Sequence, residues 1–128
     1  MPPRHVLSPK LVERIAERFR VLGDPMRVSL IENLRAGEAT VSTLTARTGG
    51  SQQNISKHLS VLHVAGIVAR RRDGARAFYR LVDSAVLELC AIVCESLGQP
   101  ARTGRRALAQ RGRAQNEATR WIPKNDSR

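Results

Sequence analysis

The stretch TVSTLTARTGGSQQNISKHLSVLHVAG, residues 40–66, and the IVARRRDGARAFYRL that follows it, residues 67–81, decide how this chain folds. Thr40 is placed to cap a short helix over Val41–Thr48 whose main buried residue is Leu44, and Gly49-Gly50 breaks it. Ser51 caps a second helix in which Ile55, Leu59 and Leu62 recur on one face, and Gly66 closes the end. A short helix, a glycine turn and a second capped helix make a helix-turn-helix. Residues 67–72 and 75–81 are strand-like, with Asp73-Gly74 as the two-residue hairpin turn between them. Arg70, Arg71, Arg72, Arg76 and Arg80 crowd onto this ribbon, where like charges repel unless an anion relieves them. A basic hairpin directly after a helix-turn-helix is a wing.

Upstream, Ser8-Pro9 is a cap followed by proline at the first helical position, and Leu11, Val12, Ile15, Phe19 and Leu22 follow at helical spacing until Gly23. Asp24-Pro25 repeats the signal for a second helix, with Val28, Ile31 and Leu34 as its apolar face and Gly37 as its stop. Downstream, Asp83 or Ser84 starts a last helix that runs to about Leu97 and is apolar nearly all round, with only Glu88, Glu95 and Ser96 clearly polar. Such a helix needs cover on more than one side, and a second subunit supplies it. The expected fold is therefore mainly α with a small β-hairpin (α+β). It is a winged helix-turn-helix over residues 8–98, homodimeric through its terminal helices. Residues 1–7 read as a disordered arm and 99–128 as a basic, disordered tail in which Trp121 is the one large aromatic.

Composition narrows the partner. Apolar residues make up 41% of the 128, aromatic residues only 3%, so the core is built from Leu, Val, Ile and Ala, as suits packed helices. The formal charge of +11 marks a polyanion partner, nucleic acid before membrane surface. No secretory signal or membrane-spanning run stands out, and Cys90 and Cys94 fit a reducing compartment, so a cytoplasmic, nucleoid-associated protein is expected. No nucleophile elbow, phosphate loop or metal-ligand cluster speaks for an enzyme, and His5, His58 and His63 are too scattered for a metal site.

Four ordered motifs resemble the ArsR/SmtB family. They are Leu22-Gly23-Asp24-Pro25-Met26-Arg27, Ser51 through Leu59, Ala65-Gly66-Ile67-Val68, and Gly74 through Phe78-Tyr79-Arg80-Leu81, within a likeness covering about residues 10–97. The resemblance implies a homodimeric winged helix-turn-helix repressor that leaves its operator when a metal ion, metalloid or oxidant reaches a sensory site. Gly50 departs from the family, which usually has an apolar residue there, and implies a looser angle between the two helices. The family's thiolate site corresponds to Thr40-Val41-Ser42 and its zinc site to Asp83 and Ala85, so neither ligand set is present. Cys90 and Cys94, one helical turn apart, remain either as thiols for a soft metal or metalloid ion or an oxidant, or as small buried hydrophobes.

With Ile55, Leu59 and Leu62 turned inward, Gln52, Gln53, Ser56, Lys57 and Ser60 face outward, and Ser51 stands at the helix N-terminus. Gln52, Gln53 and Ser56 are expected to read base edges of double-stranded DNA and Lys57 to hold a phosphate. His58 is either a packing histidine or a DNA contact. Arg76, or a neighbour such as Arg71 or Arg72, would enter the adjacent minor groove. The alternative is an architectural module binding DNA or RNA without sequence preference, for which outward glutamines have no use.

Overall fold

The computed structural model describes residues 6–100. All of the expected arm except Val6 and Leu7, and all of the expected tail except Gln99 and Pro100, lie outside the described residues, as does Trp121. The elements follow in the order α1 (Pro9–Leu22), α2 (Pro25–Asn33), β1 (Ala39–Thr40), α3 (Val41–Thr48), α4 (Gln52–Val64), β2 (Val68–Asp73), β3 (Arg76–Leu81) and α5 (Ser84–Ser96). They divide into two units between Asp83 and Ser84.

Local chemistry sets the helix starts. The Ser8 hydroxyl accepts from the Leu11 amide at 3.2 Å, and the Asp24 carboxylate from the amides of Met26 and Arg27 at 2.9 and 3.3 Å. Thr40 and Ser51 receive the amides of Thr43 and Asn54, each at 3.1 Å. Each of these caps satisfies amides that a helix N-terminus leaves without a partner, typically for about 1 kcal/mol. At the far end of α4, Ile67 N–H reaches the Leu62 carbonyl and Gly66 N–H that of His63, both at 3.0 Å. Gly66, with φ of 78°, makes the left-handed step that this double closure requires.

Two boundaries differ from expectation. Helix α2 stops at Asn33, before Gly37, because the Leu34 amide is already shared between the Leu30 and Ile31 carbonyls, and those of Arg35 and Gly37 turn to carbonyls three residues back and wind the chain off the helix axis. Its buried stripe is Leu30, Ile31 and Leu34, and Val28 is exposed. In the hairpin, Asp73 pairs with Arg76, so the two-residue loop is Gly74-Ala75, one residue later than expected. Gly74 takes φ of 65° at the first loop position, the one that a II′ turn reserves for glycine.

Strand β1 is an addition to the expected elements: Ala39 pairs with Tyr79 and Thr40 with Phe78, giving an antiparallel sheet in the order β1-β3-β2. Leu30, Ile31, Leu44, Ile55, Leu59, Leu62 and Ile67 are wholly buried in the unit that ends at Asp83. Each such side chain contributes about 1.5–3 kcal/mol relative to exposure. Gly50 belongs to this packing. A side chain there would meet Ile55 Cδ1 at 3.0 Å and Met26 Cε at 3.1 Å. Those two residues fill the place that the missing apolar residue leaves, so the turn is closely packed at Gly50 where a looser joint was expected.

The terminal helices are different. On α1 only Val21 and Leu22 are buried, while Leu11, Val12, Ile15 and Phe19 are 37–54% exposed. On α5 only Val86 is buried, and Ile92 and Val93, with Leu97 just beyond the helix, are exposed.

Candidate nucleic-acid interface

Helix α4 has two distinct faces. Ile55, Leu59 and Leu62 have no exposed surface, whereas Ser51, Gln52, Gln53, Lys57 and Ser60 are exposed and Ser56 is half-buried. At 3.6 residues per turn, Gln53, Lys57 and Ser60 lie on one line opposite the buried face, with Gln52 and Ser56 to one side. Two further residues join this surface. Asn54 is exposed in the first turn, and Val64, 87% exposed, continues the line of Gln53, Lys57 and Ser60. Asn54 offers the two-bond geometry that reads adenine, and an exposed valine suits a thymine methyl. The signal for Val64 was the helical spacing itself, extended through one more turn, and that for Asn54 its place in the first turn beside Gln53.

His58 turns the other way. Its Nδ1 lies 3.3 Å from Arg27 Nη1 and its Nε2 3.9 Å from Asp24 Oδ1, the carboxylate that caps α2. Arg27 in turn donates from Nε to the Val21 carbonyl at 2.7 Å. His58 therefore ties α4 to the start of α2 and sits apart from the outward line, which is the packing role of the two expected for it.

The wing arginines divide between the two faces of the sheet, since residues directly opposite on antiparallel strands share a face. Arg70 (opposite Tyr79) and Arg72 (opposite Ala77) share the face of buried Val68 and Tyr79. Arg71 (opposite Phe78), Arg76 and Arg80 share the other. Arg72, Arg76 and Arg80 are exposed. Arg71 is engaged: its Nε and Nη2 each donate to a Glu38 carboxylate oxygen at 2.8 Å, and its guanidinium carbon lies 4.4 Å from the Phe78 ring centroid. The paired guanidinium holds the Glu38 carboxyl below its usual range, and Glu38 likewise raises Arg71. Arg71, grouped with Arg72 and Arg76 in the sequence, thus differs from them in being held by a carboxylate.

At the family's sensory positions, the Thr40 hydroxyl is used as the α3 cap, and Asp83 faces Arg18 Nη1 at 3.7 Å. Cys90 and Cys94 are both half-buried on α5, and the Cys94 thiol points to the Pro100 and Gln99 carbonyls at 3.7 and 3.9 Å. Among the described residues no three His, Cys, Asp or Glu side chains cluster as a metal site, and no helix is long and apolar enough to cross a membrane.

Residues 22–71 match the family described as a helix-turn-helix domain. An HTH-type transcriptional regulator of Methanocaldococcus jannaschii is 37% identical over 84 residues, which cover 65% of this chain and 94% of that protein. A probable mercury resistance operon repressor of Streptomyces lividans is 39% identical over 74 residues, 58% of this chain. The chain spans only 59% of that relative's length. Among solved structures, a homodimeric winged helix-turn-helix DNA-binding domain from Mycobacterium bovis, titled a possible ArsR-family regulator, matches with a TM-score of 0.60. Its identity is 28%, over 73% of this chain and 86% of that one. With the four motifs, the capped α3–α4 pair and the arginine-bearing hairpin in place, this chain belongs to the ArsR/SmtB family of winged helix-turn-helix transcriptional regulators.

Proposed function

We propose that this chain is a repressor that binds a near-palindromic operator as a homodimer at the chromosome, with α4 in the major groove and the wing in the adjacent minor groove. The observation that carries this is the two-faced α4: a wholly buried Ile55-Leu59-Leu62 face behind an exposed line of Gln53, Lys57 and Ser60. A purely electrostatic binder would present cations there. Gln53, flanked by Gln52 and Ser56, reads base edges, while Lys57 and the exposed arginines Arg72 and Arg76 hold backbone or minor groove. The uncovered apolar faces of α1 and α5 supply the contact between copies, in keeping with the homodimer named for the Mycobacterium bovis domain. Two copies place two α4 helices about one turn of DNA apart.

The test is binding to a duplex selected by the protein from a random pool, against unrelated duplex at the same salt. Gln53→Ala is expected to cost about 1–3 kcal/mol on the selected duplex and little on the unrelated one. Equal losses on both would instead make the chain an architectural binder without sequence preference.

A second, narrower proposal concerns Cys90 and Cys94 as the sensory element. Two half-buried thiols one turn apart on α5 fit a soft metal or metalloid ion in donor type, and two copies would supply the further sulfurs that one chain lacks. The name of the Streptomyces lividans relative points to the same chemical class. A thiolate-to-metal absorption band on adding Cd(II), lost in the double Cys→Ser variant, is expected. An identical band in both proteins would remove the thiols from the site.

A further inference from the structure

We infer that Arg71 is a positioning residue that, with Glu38 and Phe78, sets the placement of the wing against the helix-turn-helix and does not itself hold DNA. This rests on the DNA-binding function proposed above. Three observations carry it. The sheet order is β1-β3-β2, so Arg71 on β2 and Glu38, the residue before β1, are separated by the whole of β3. The Arg71 side chain crosses that strand over the ring of Phe78, its direct cross-strand partner, at 4.4 Å. It ends in a two-point fork on Glu38, with both contacts at 2.8 Å. A bidentate arginine–carboxylate pair fixes orientation as well as distance, because the guanidinium plane must align with the carboxylate.

The anchor point is what gives the clamp a consequence for recognition. Glu38 is followed by Ala39 and Thr40, and Thr40 is both the last residue of β1 and the cap of α3. Added to the β1–β3 pairing at Ala39 and Thr40, the clamp ties β2 as well to the segment that leads into the helix-turn-helix, two residues before its cap. Arg76 and Arg80, on the same sheet face as Arg71, keep exposed side chains, as do Arg70 and Arg72 on the other. Of the five wing arginines, Arg71 is the one whose fork is spent on a carboxylate in these contacts, and the same carboxylate withdraws one positive charge from the ribbon. A wing held at a fixed offset from α4 can engage DNA only where its groove contact falls at one spacing from the bases that α4 reads. The clamp therefore acts on selectivity, and the other wing arginines act on affinity.

The experiment compares the parent chain, Arg71→Gln, Glu38→Gln and the double variant. Each is titrated on the pool-selected duplex and an unrelated duplex over a series of salt concentrations. Arg71→Gln is expected to leave the slope of log K against log salt unchanged and to lower the preference for the selected duplex about tenfold, the scale of one mismatched base pair. Glu38→Gln frees a cation: binding to unrelated duplex tightens, the slope steepens by about one, and selectivity falls. The double variant is expected to match Arg71→Gln. A slope flattened by about one in Arg71→Gln, with Glu38→Gln indistinguishable from parent, would make Arg71 a phosphate contact and overturn the inference. Amide exchange of β2 and β3 in the DNA-free proteins tests the clamp alone: both single variants exchange faster and the double no faster still, as partners in one contact behave. Unchanged exchange in both would also overturn it. A parent that prefers no duplex would defeat the proposed repressor function while leaving the exchange result to judge the clamp.

Discussion

Helices α3 and α4 and helices α1 and α5 carry equally regular apolar patterns but meet different fates. Leu44, Ile55, Leu59 and Leu62 are each wholly buried by their own chain. The stripe of Leu11, Val12, Ile15 and Phe19 on α1 is as well spaced, yet each of its members keeps at least 37% of its surface exposed. Ile92 and Val93 on α5, and Leu97 just after it, are exposed likewise. Periodicity reports that a face exists; it does not report what covers it. Soluble monomers seldom leave contiguous apolar patches open, so stripes of this regularity mark contact with another molecule. The helix-turn-helix is complete within one chain, and in the proposed dimer the terminal helices are completed by a second.

The contrast is broken or upheld first by a pair of substitutions with the largest expected effects. Val93→Glu is expected to give a monomer in light scattering and to weaken operator binding by about a hundredfold or more, the loss that follows when two half-sites are no longer engaged together. Its melting temperature should no longer rise with protein concentration, as that of a linked dimer does. Leu59→Ala acts on the other region and should cost about 2–5 kcal/mol through the cavity left on a wholly buried face of α4. A Val93→Glu protein that remains a dimer of full affinity would place the second subunit elsewhere.

The glycine turn offers a smaller test of how completely the first region is packed. Gly49 caps α3 at φ of 78°, with no atom within 4 Å of an added Cβ, so Gly49→Ala costs only the left-handed backbone penalty, about 1–2 kcal/mol. Gly50 carries no such backbone demand, but its Cβ would press on Ile55 and Met26 at 3.0 and 3.1 Å. Both contacts are side-chain ends that can shift, so Gly50→Ala is expected to cost about 1 kcal/mol by overpacking. Denaturant unfolding of the two variants separates these causes when each is combined with Met26→Ala. The second substitution should relieve part of the Gly50→Ala penalty, leaving the Ile55 contact, and leave the Gly49→Ala penalty unchanged.

The parts legible in the sequence were those whose chemistry is local. The caps at Ser8, Asp24, Thr40 and Ser51 each rest on a side chain that reaches an amide two or three residues ahead, and the buried face of α4 follows from spacing alone. What was hidden depends on partners distant in the chain. The two residues of β1 are too few to show an alternation, and they exist because β3 offers them an edge. The orientation of His58 is set by Arg27 and Asp24, about thirty residues earlier, and the fork of Arg71 by Glu38, 33 residues earlier. The hairpin loop was off by one residue because Asp-Gly is a turn signal whichever of its members pairs, and only the ladder fixes the register. Of the positions expected to face outward on α4, Gln52, Gln53, Lys57 and Ser60 are exposed and Ser56 is half-buried, while for His58 a tertiary contact selects the packing alternative.

The smallest expected effect asks whether the completeness of the first region extends to its charges. The Glu38 carboxyl is held below its ordinary range chiefly by the hydrogen bonds from Arg71, helped by the nearby charges of Arg71 and Arg80. A carboxyl depressed in the folded state adds stability above its unfolded pKa and loses it as pH falls through the folded value. The unfolded value for glutamate is about 4.3, so the contribution is whole at neutral pH and fades in acid below that. Both partners are reached by solvent, so the effect is small and screened by salt. Glu38→Gln should therefore be slightly less stable than parent at neutral pH in low salt. The gap should close as the pH is lowered past the carboxyl's titration, and close again near 1 M salt, where the screening length is about 3 Å. Denaturant midpoints of the two proteins, each at neutral and acid pH and at both salt levels, read this directly. A gap that persists unchanged in acid would mean that Glu38 supports the wing through the shape of its side chain and not through its charge.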